Sequence, residues 1–235
     1  DEVVLPDHLR CCSHTLNLIA TTDADKALTD GAYKKLYRQS MAKATALRNL
    51  TSRSTKAADT VYGILGYRLS VPCVTRWNSY YDATKKIVSA EMKLNEICRA
   101  VDIAQFVQSD IAFLKEYIDV MAPVAASLDI LQGEQNCSLG YVLPTLTVLK
   151  GKLQKVTVKH TRPLRDALLR GIDSRFANLF CDKEFLMAAV THPMFKLAWI
   201  EDSSLRAQCT QMLEQAISST RYVSFNNFQT HCLCL

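Results

Sequence analysis

SDIAFLKEYIDVMAPVAASLDILQG, residues 109–133, reads as one long helix. Its apolar residues Leu114, Tyr117, Met121, Val124, Leu128 and Leu131 step by three and four throughout. That is the interval at which side chains share one face of a helix. Ser109 opens the pattern and Gly133 closes it. A seam of this length needs other helices to cover it. Pro123 lies inside it, removing one backbone donor and crowding the carbonyl of Asp119, which predicts a kink.

The same spacing recurs on both sides of this segment. From Ala32 to about Leu50, Tyr33, Tyr37, Ala44 and Leu47 fall at helical intervals. Asp30-Gly31 ends one pattern and opens this one. Ser54 is placed to cap a helix carrying Ala58, Val61, Tyr62 and Leu65, and Gly66 to stop it. Arg68 to Val74, with Pro72, reads as extended. Thr75 or Asn78 can cap the next helix, through Tyr80, Ile87, Leu94 and Ile97.

Beyond residue 133, Ser138 opens a seam of Val142, Leu146, Leu149, Leu153 and Val156. Thr161-Arg162-Pro163 is a helix start, since a proline in the first turn loses no bond. A last periodic stretch holds Leu205, Cys209, Met212 and Ala216, and the tail from Ser218 has little periodicity. At the other end, His8 to Cys11 follows Pro6 and reads as a short strand. Helical spacing begins at Ser13, and Thr22 with Asp25 resembles a capping box that starts another short helix. The expectation is a mainly α fold with one short strand-helix piece in front.

Composition agrees. Seven glycines and six prolines in 235 residues favour long helices over many turns. Hydrophobic residues at 49% and charged residues at 22% are those of a globular chain with a core. No segment approaches the ~20 apolar residues that span a bilayer. The N-terminus has neither a basic segment nor an apolar run, so the expectation is no secretory signal and no membrane partner. Nine cysteines without repeated spacing then read as reduced thiols, in cytosol or nucleus.

The net charge of +5 is unevenly placed. Between Gly31 and Ala58 lie Lys34, Lys35, Arg38, Lys43, Arg48, Arg53 and Lys56, with no acidic residue. A second block runs from Lys150 through Lys152, Lys155, Lys159, Arg162 and Arg165 to Arg170, against Asp166 alone. Segregation of this kind fits a polyanion on two surfaces. Solvated helix faces rich in Lys and Arg are the plain alternative.

Few residues carry chemistry. Cys11 and His14 are two potential metal ligands, but a closed zinc site needs four. The nearest second pair is His231 with Cys232 or Cys234. The preferred reading is structural: Cys11 as a small buried apolar residue and His14 as a hydrogen-bonded histidine at a helix start. No metal or cofactor is expected. No two glycines fall at the spacing of a phosphate loop, and the carboxylates are scattered. Arg76-Trp77 at a helix start can place a guanidinium on a phosphate and an indole on an unpaired base. Trp77 as a core anchor is the alternative.

Two stretches carry a family likeness. Arg10-Cys-Cys-Ser-His-Thr-Leu-Asn-Leu18 and Thr75-Arg-Trp-Asn-Ser79, roughly sixty residues apart, resemble the Cys-x-x-His and Arg-Trp motifs of hAT superfamily DNA transposases and their domesticated relatives. Softer landmarks are Glu116-Tyr117 through Pro123 to Glu134, Leu143-Pro-Thr-Leu146 and His192-Pro-Met-Phe-Lys196.

The resemblance implies an RNase H-like core interrupted by a large all-helical insertion. Residues 1–28 would be a strand-helix piece of that core, 29–217 the insertion domain and 218–235 an irregular tail. It also implies that the family's catalytic acids, its dimerisation region and its BED-type zinc finger fall outside these residues. The chain would then be no enzyme by itself. Cys11 and His14 map onto the family's structural Cys-x-x-His, and Trp77, with Arg76 beside it, onto a tryptophan that stacks against DNA. The expected partner is DNA, bound weakly through Arg76, Trp77, Lys34, Lys35, Arg38, Lys43, Lys152, Lys155 and Lys159, with protein partners or a functionless relic as alternatives. The expected compartment is the nucleus, or the cytosol if the full-length product carries no import signal.

Overall fold

A computed structural model describes residues 10–70, 77–133 and 138–231, with side chains for 10–70, 79–133 and 138–219. The described residues are helical or irregular, with no strand among them. They fall into two compact units. The first comprises residues up to Gln132 together with Leu149–Arg175, and the second comprises Gly133–Val148 and the residues from Phe176 onward.

The first unit is built on the segment that opened the sequence reading. Helix α6, Gln108–Leu131, runs through Pro123. Every residue of the expected seam is buried on it, joined by Phe113 and Val120. Ahead of it come α1 (Cys12–Leu18), α2 (Gly31–Arg53), α3 (Thr55–Leu65), α4 (Trp77–Ser89) and α5 (Glu91–Ala100). Helices α1, α2 and α4 pack on α6, and α3 packs on α2 and α5. On α2, Tyr33, Ala44 and Leu47 are buried and Tyr37 is half-buried, as the spacing predicts. Tyr33, Tyr37 and Phe113 form an aromatic cluster with ring centres 5.6 to 6.3 Å apart.

Several local readings hold. The Asp30 carboxylate accepts the Tyr33 N–H at 2.8 Å, capping α2. Ser54 Oγ accepts the Ala57 N–H at 3.2 Å and starts α3. Gly66 ends α3 at φ +80, a left-handed conformation that costs glycine little.

Others are corrected. Thr22 and Asp25 do not start a new helix: α1 continues through a π turn, Ile19–Asp23, into a 3-10 helix, Ala24–Thr29. The path from Tyr80 to Ile97 is two helices, broken at Ala90. Asn78 lies inside α4, and Thr75 is outside the described residues. Of the expected strand, His8 and Leu9 are outside them too, and Arg10 and Cys11 have no regular structure.

The second half adds α7 (Val142–Lys155), α8 (Arg162–Phe176), α9 (Lys183–Thr191) and α10 (Ser203–His231). In the second unit a 3-10 turn, Leu139–Tyr141, packs against α9, which also packs on α10. The approach is close: a Cβ on Gly140 would stand 2.5 Å from the Ala188 carbonyl oxygen. Asp182 caps α9 by accepting the N–H groups of Glu184 and Phe185. The His192–Lys196 landmark becomes a ring cluster, with Tyr141, His192 and Phe195 centres 4.9 Å apart. Helix α10 runs to His231, where the sequence pattern predicts an irregular tail from Ser218.

Two buried aspartates tie the first unit together. Asp110, fully buried in the first turn of α6, accepts from Gln39, Ser40 and Lys43 of α2 and from the Val107 N–H. Asp23 accepts from Lys26 and from Arg175 of α8. Burial pushes both carboxyls up. The cations and donors around them outweigh it, and both are held below the usual range. Their contribution is therefore complete above the unfolded-state value of about 3.9. It is lost as the pH falls through the lower folded values. Asp110→Asn is expected to cost about 3 kcal/mol, because it breaks a buried pair from one side. Melting curves over a pH series should show a shallower acid loss in this variant than in the wild-type chain.

Candidate nucleic-acid interface

The two basic blocks of the sequence are not two basic surfaces. In the first, Lys35, Arg38, Arg53 and Lys56 are exposed and Lys34 is half-buried. Lys43 is taken up by Asp110, with its side chain only 17% exposed. Arg48 is in the core, where its guanidinium lies 4.9 Å from the Tyr80 ring centre and donates to Thr45 Oγ1 at 3.1 Å. Among the described residues its Nη1 has no hydrogen-bond partner. The 3.6-residue turn explains the division: Lys43 and Arg48 fall on the face that carries Ser40, Ala44 and Leu47. Lys35 and Arg53 are also about 27 Å apart along α2, at 1.5 Å per residue.

The second block divides similarly. Lys150 pairs with Asp173 at 2.6 Å. Arg165 pairs with Asp166 at 2.8 Å, and Arg162 reaches the same carboxylate at 3.7 Å. Lys152, Lys155 and Lys159 are exposed, with no ion pair among the described residues. Lys152 and Lys155 flank a shallow groove of about 500 Å³ that is also lined by Ala122, Pro123, Ala126 and Val156.

Three successive N–H groups in the bend that leads into α8 converge on one point, an arrangement that ordinarily attracts an anion. Here the position is filled from within. Glu116 Oε2 accepts the N–H groups of Lys159, His160 and Thr161 at 3.0, 2.6 and 3.0 Å. The Thr161 hydroxyl adds a fourth bond at 3.3 Å. Nothing local in the sequence marks Glu116 for this role, because its targets lie more than forty residues downstream.

Cys11 and His14 are both exposed, which corrects the expectation of a buried cysteine. Leu16 of α1 and Ile19 and Ala20 of the π turn are buried, and the two motif residues are not. The Cys11 thiol meets Ser13 Oγ at 3.1 Å. That bond, followed by one from the His14 N–H, lowers its pKa against a small opposing effect of burial. No group of three or more His, Cys, Asp or Glu side chains able to hold a metal occurs among the described residues. Cys232 and Cys234 are outside them, as are the side chain of His231, residue Arg76 and the indole of Trp77. The Trp77 backbone forms the first turn of α4.

The structure adds one basic surface that the blocks missed. Arg68, Lys86 and Lys93 are exposed around the Gly66 turn, beside Tyr62 and Tyr67. These residues are scattered from Tyr62 to Lys93 in the sequence, so no charge run signals them.

Compared with known proteins, the chain matches no family model, no curated protein and no solved structure.

The filled helix start has a measurable consequence. Glu116→Ala is expected to lower stability by about 1–2 kcal/mol through the lost cap. Because it uncovers three N–H groups beside Lys159 and Arg162, sulfate should raise the melting temperature of this variant more than that of the wild type. Equal responses to sulfate would count against the anion-site reading.

Proposed function

We propose that this chain is a non-catalytic, hAT-transposase-like helical module that binds DNA weakly and without sequence preference. The supporting observation is the set of exposed cations left over once internal pairs are removed: Lys35, Arg38, Arg53 and Lys56 on α2 and α3, and Lys152, Lys155 and Lys159 from α7 to the start of α8. Cations without acidic neighbours attract a polyanion and displace its counterions. Lys43 leaves this set, since its ammonium holds α2 to α6. Arg76 and Trp77 remain in it on the strength of the family resemblance alone.

The non-catalytic reading draws support from the two buried carboxylates among the described residues. Asp23 and Asp110 are each surrounded by structural donors, one at the π turn and one at the start of α6. Binding to DNA would place the protein in the nucleus. A second reading, a helical protein-interaction domain, draws on the groove beside Pro123, whose lining is mostly apolar.

Affinity for duplex DNA should fall steeply with salt, by about 0.9 in log K per log salt for each phosphate neutralised. Five contacts would give a slope near roughly −4.5. Substituting Lys152, Lys155 and Lys159 together by Ala is expected to flatten that slope by about 2.7. Lys43→Met should lower the melting temperature and leave the slope unchanged. An unaltered slope in the triple variant, measured by fluorescence anisotropy, would favour the protein-interaction reading.

A further inference from the structure

The turn that ends α3 gathers aromatic and basic side chains from α3, α4 and α5. Gly66, at φ +80, folds the chain back so that Arg68 returns over the last turns of α3. Its guanidinium lies 5.9 Å from the ring centre of Tyr62 and 3.3 Å from Asp59. Tyr62 is 51% exposed. Tyr67 is 37% exposed, and its hydroxyl meets Ser89 Oγ of α4 at 3.3 Å. Two lysines close in from the neighbouring helices. Lys86 donates to Ser70 Oγ at 2.5 Å, and Lys93 donates to the Ile64 carbonyl at 2.7 Å.

Single exposed tyrosines are ordinary on a protein surface. This one differs in its company. Lys86 and Lys93 are held in place by neutral oxygens and make no ion pair among the described residues. Asp59 pairs with Arg68, the guanidinium that lies over the ring. A guanidinium over a tyrosine, flanked by fixed cations, has the parts of a single-strand binder: a flat face for a base and charges for the backbone. Duplex DNA hides its base faces and could use only the charges.

We propose that this patch binds single-stranded DNA, with an unpaired base stacked on Tyr62 beside Arg68 and the adjoining phosphates on Lys86 and Lys93. The proposal rests on the DNA-binding reading above and adds to it a strand preference and its residues.

The test is fluorescence anisotropy of the whole chain with labelled oligo-dT and with a labelled duplex. A 2-aminopurine oligonucleotide reports stacking by its quenching. Tyr62→Ala is expected to weaken oligo-dT binding roughly 5- to 160-fold, the range of one base-aromatic stack. It should remove the quenching and leave duplex binding within about twofold. Tyr62→Phe keeps the ring and should keep both. Lys86→Ala with Lys93→Ala should weaken both substrates and flatten the salt slope. Because Tyr62 is half in solvent, neither Tyr62 variant should shift the melting temperature. Equal oligo-dT affinity in wild type and Tyr62→Ala would overturn the proposal, as would equal losses on both substrates. If the duplex still binds with its steep salt dependence in that case, the broader DNA reading stands. A wild-type chain that binds neither substrate ends both.

Discussion

The carboxylate of Asp110 is the interaction on which the first unit depends. It sits in the first turn of α6, where the helix dipole favours negative charge, and closes that turn through the Val107 N–H. It also draws three side chains of α2 toward α6. Apolar packing alone would let two long helices slide past one another at modest cost. A buried charge with four donors in fixed positions admits one alignment, because any other leaves it unpaired. The cluster of Tyr33, Tyr37 and Phe113 lies along the same contact and is surrounded enough that burial pushes the Tyr37 hydroxyl up to about 12.

Internal acids also decide where the chain is basic. Asp110 takes Lys43, Asp23 takes Arg175, Asp173 takes Lys150 and Asp166 takes Arg165. The cations that stay free are therefore a selection made by folding. A block of like charges in sequence becomes separate small patches, while cations far apart in sequence meet at the Gly66 turn. This is why the charge run is a poor map of the surface and why the Tyr62 cluster emerges only in three dimensions.

Much of the architecture was legible from local signals. The α6 seam, the start of α2 at Asp30-Gly31, the Ser54 cap and the Gly66 stop depend on neighbours within a few residues, and all stand where the sequence placed them. The misreadings share a different cause. Nothing local marks the break at Ala90, since neither glycine nor proline interrupts the pattern there. The Thr22–Asp25 pair mimics a cap where a π turn passes into a 3-10 helix, beside the bond from Arg175 of α8 to Asp23. Helix α9 carries a cap at Asp182 but is too short to show a clear period. For the candidate interface, residue type was readable and pairing was not: Lys35 and Lys43 look alike in sequence, and only tertiary packing separates them.

Glu116 gives the fold a temporal order. Helix α8 takes its capping acceptor from a residue more than forty positions upstream on α6. A helix of this length is marginal by itself, because nucleation costs more than a few turns return. Its first turn gains its acceptor only after α6 has formed and the intervening chain has closed. Refolding of α8 is accordingly expected to trail that of α6, with low φ-values around Thr161. A peptide spanning α8 alone would then be mostly unstructured, its helix borrowed from a neighbour.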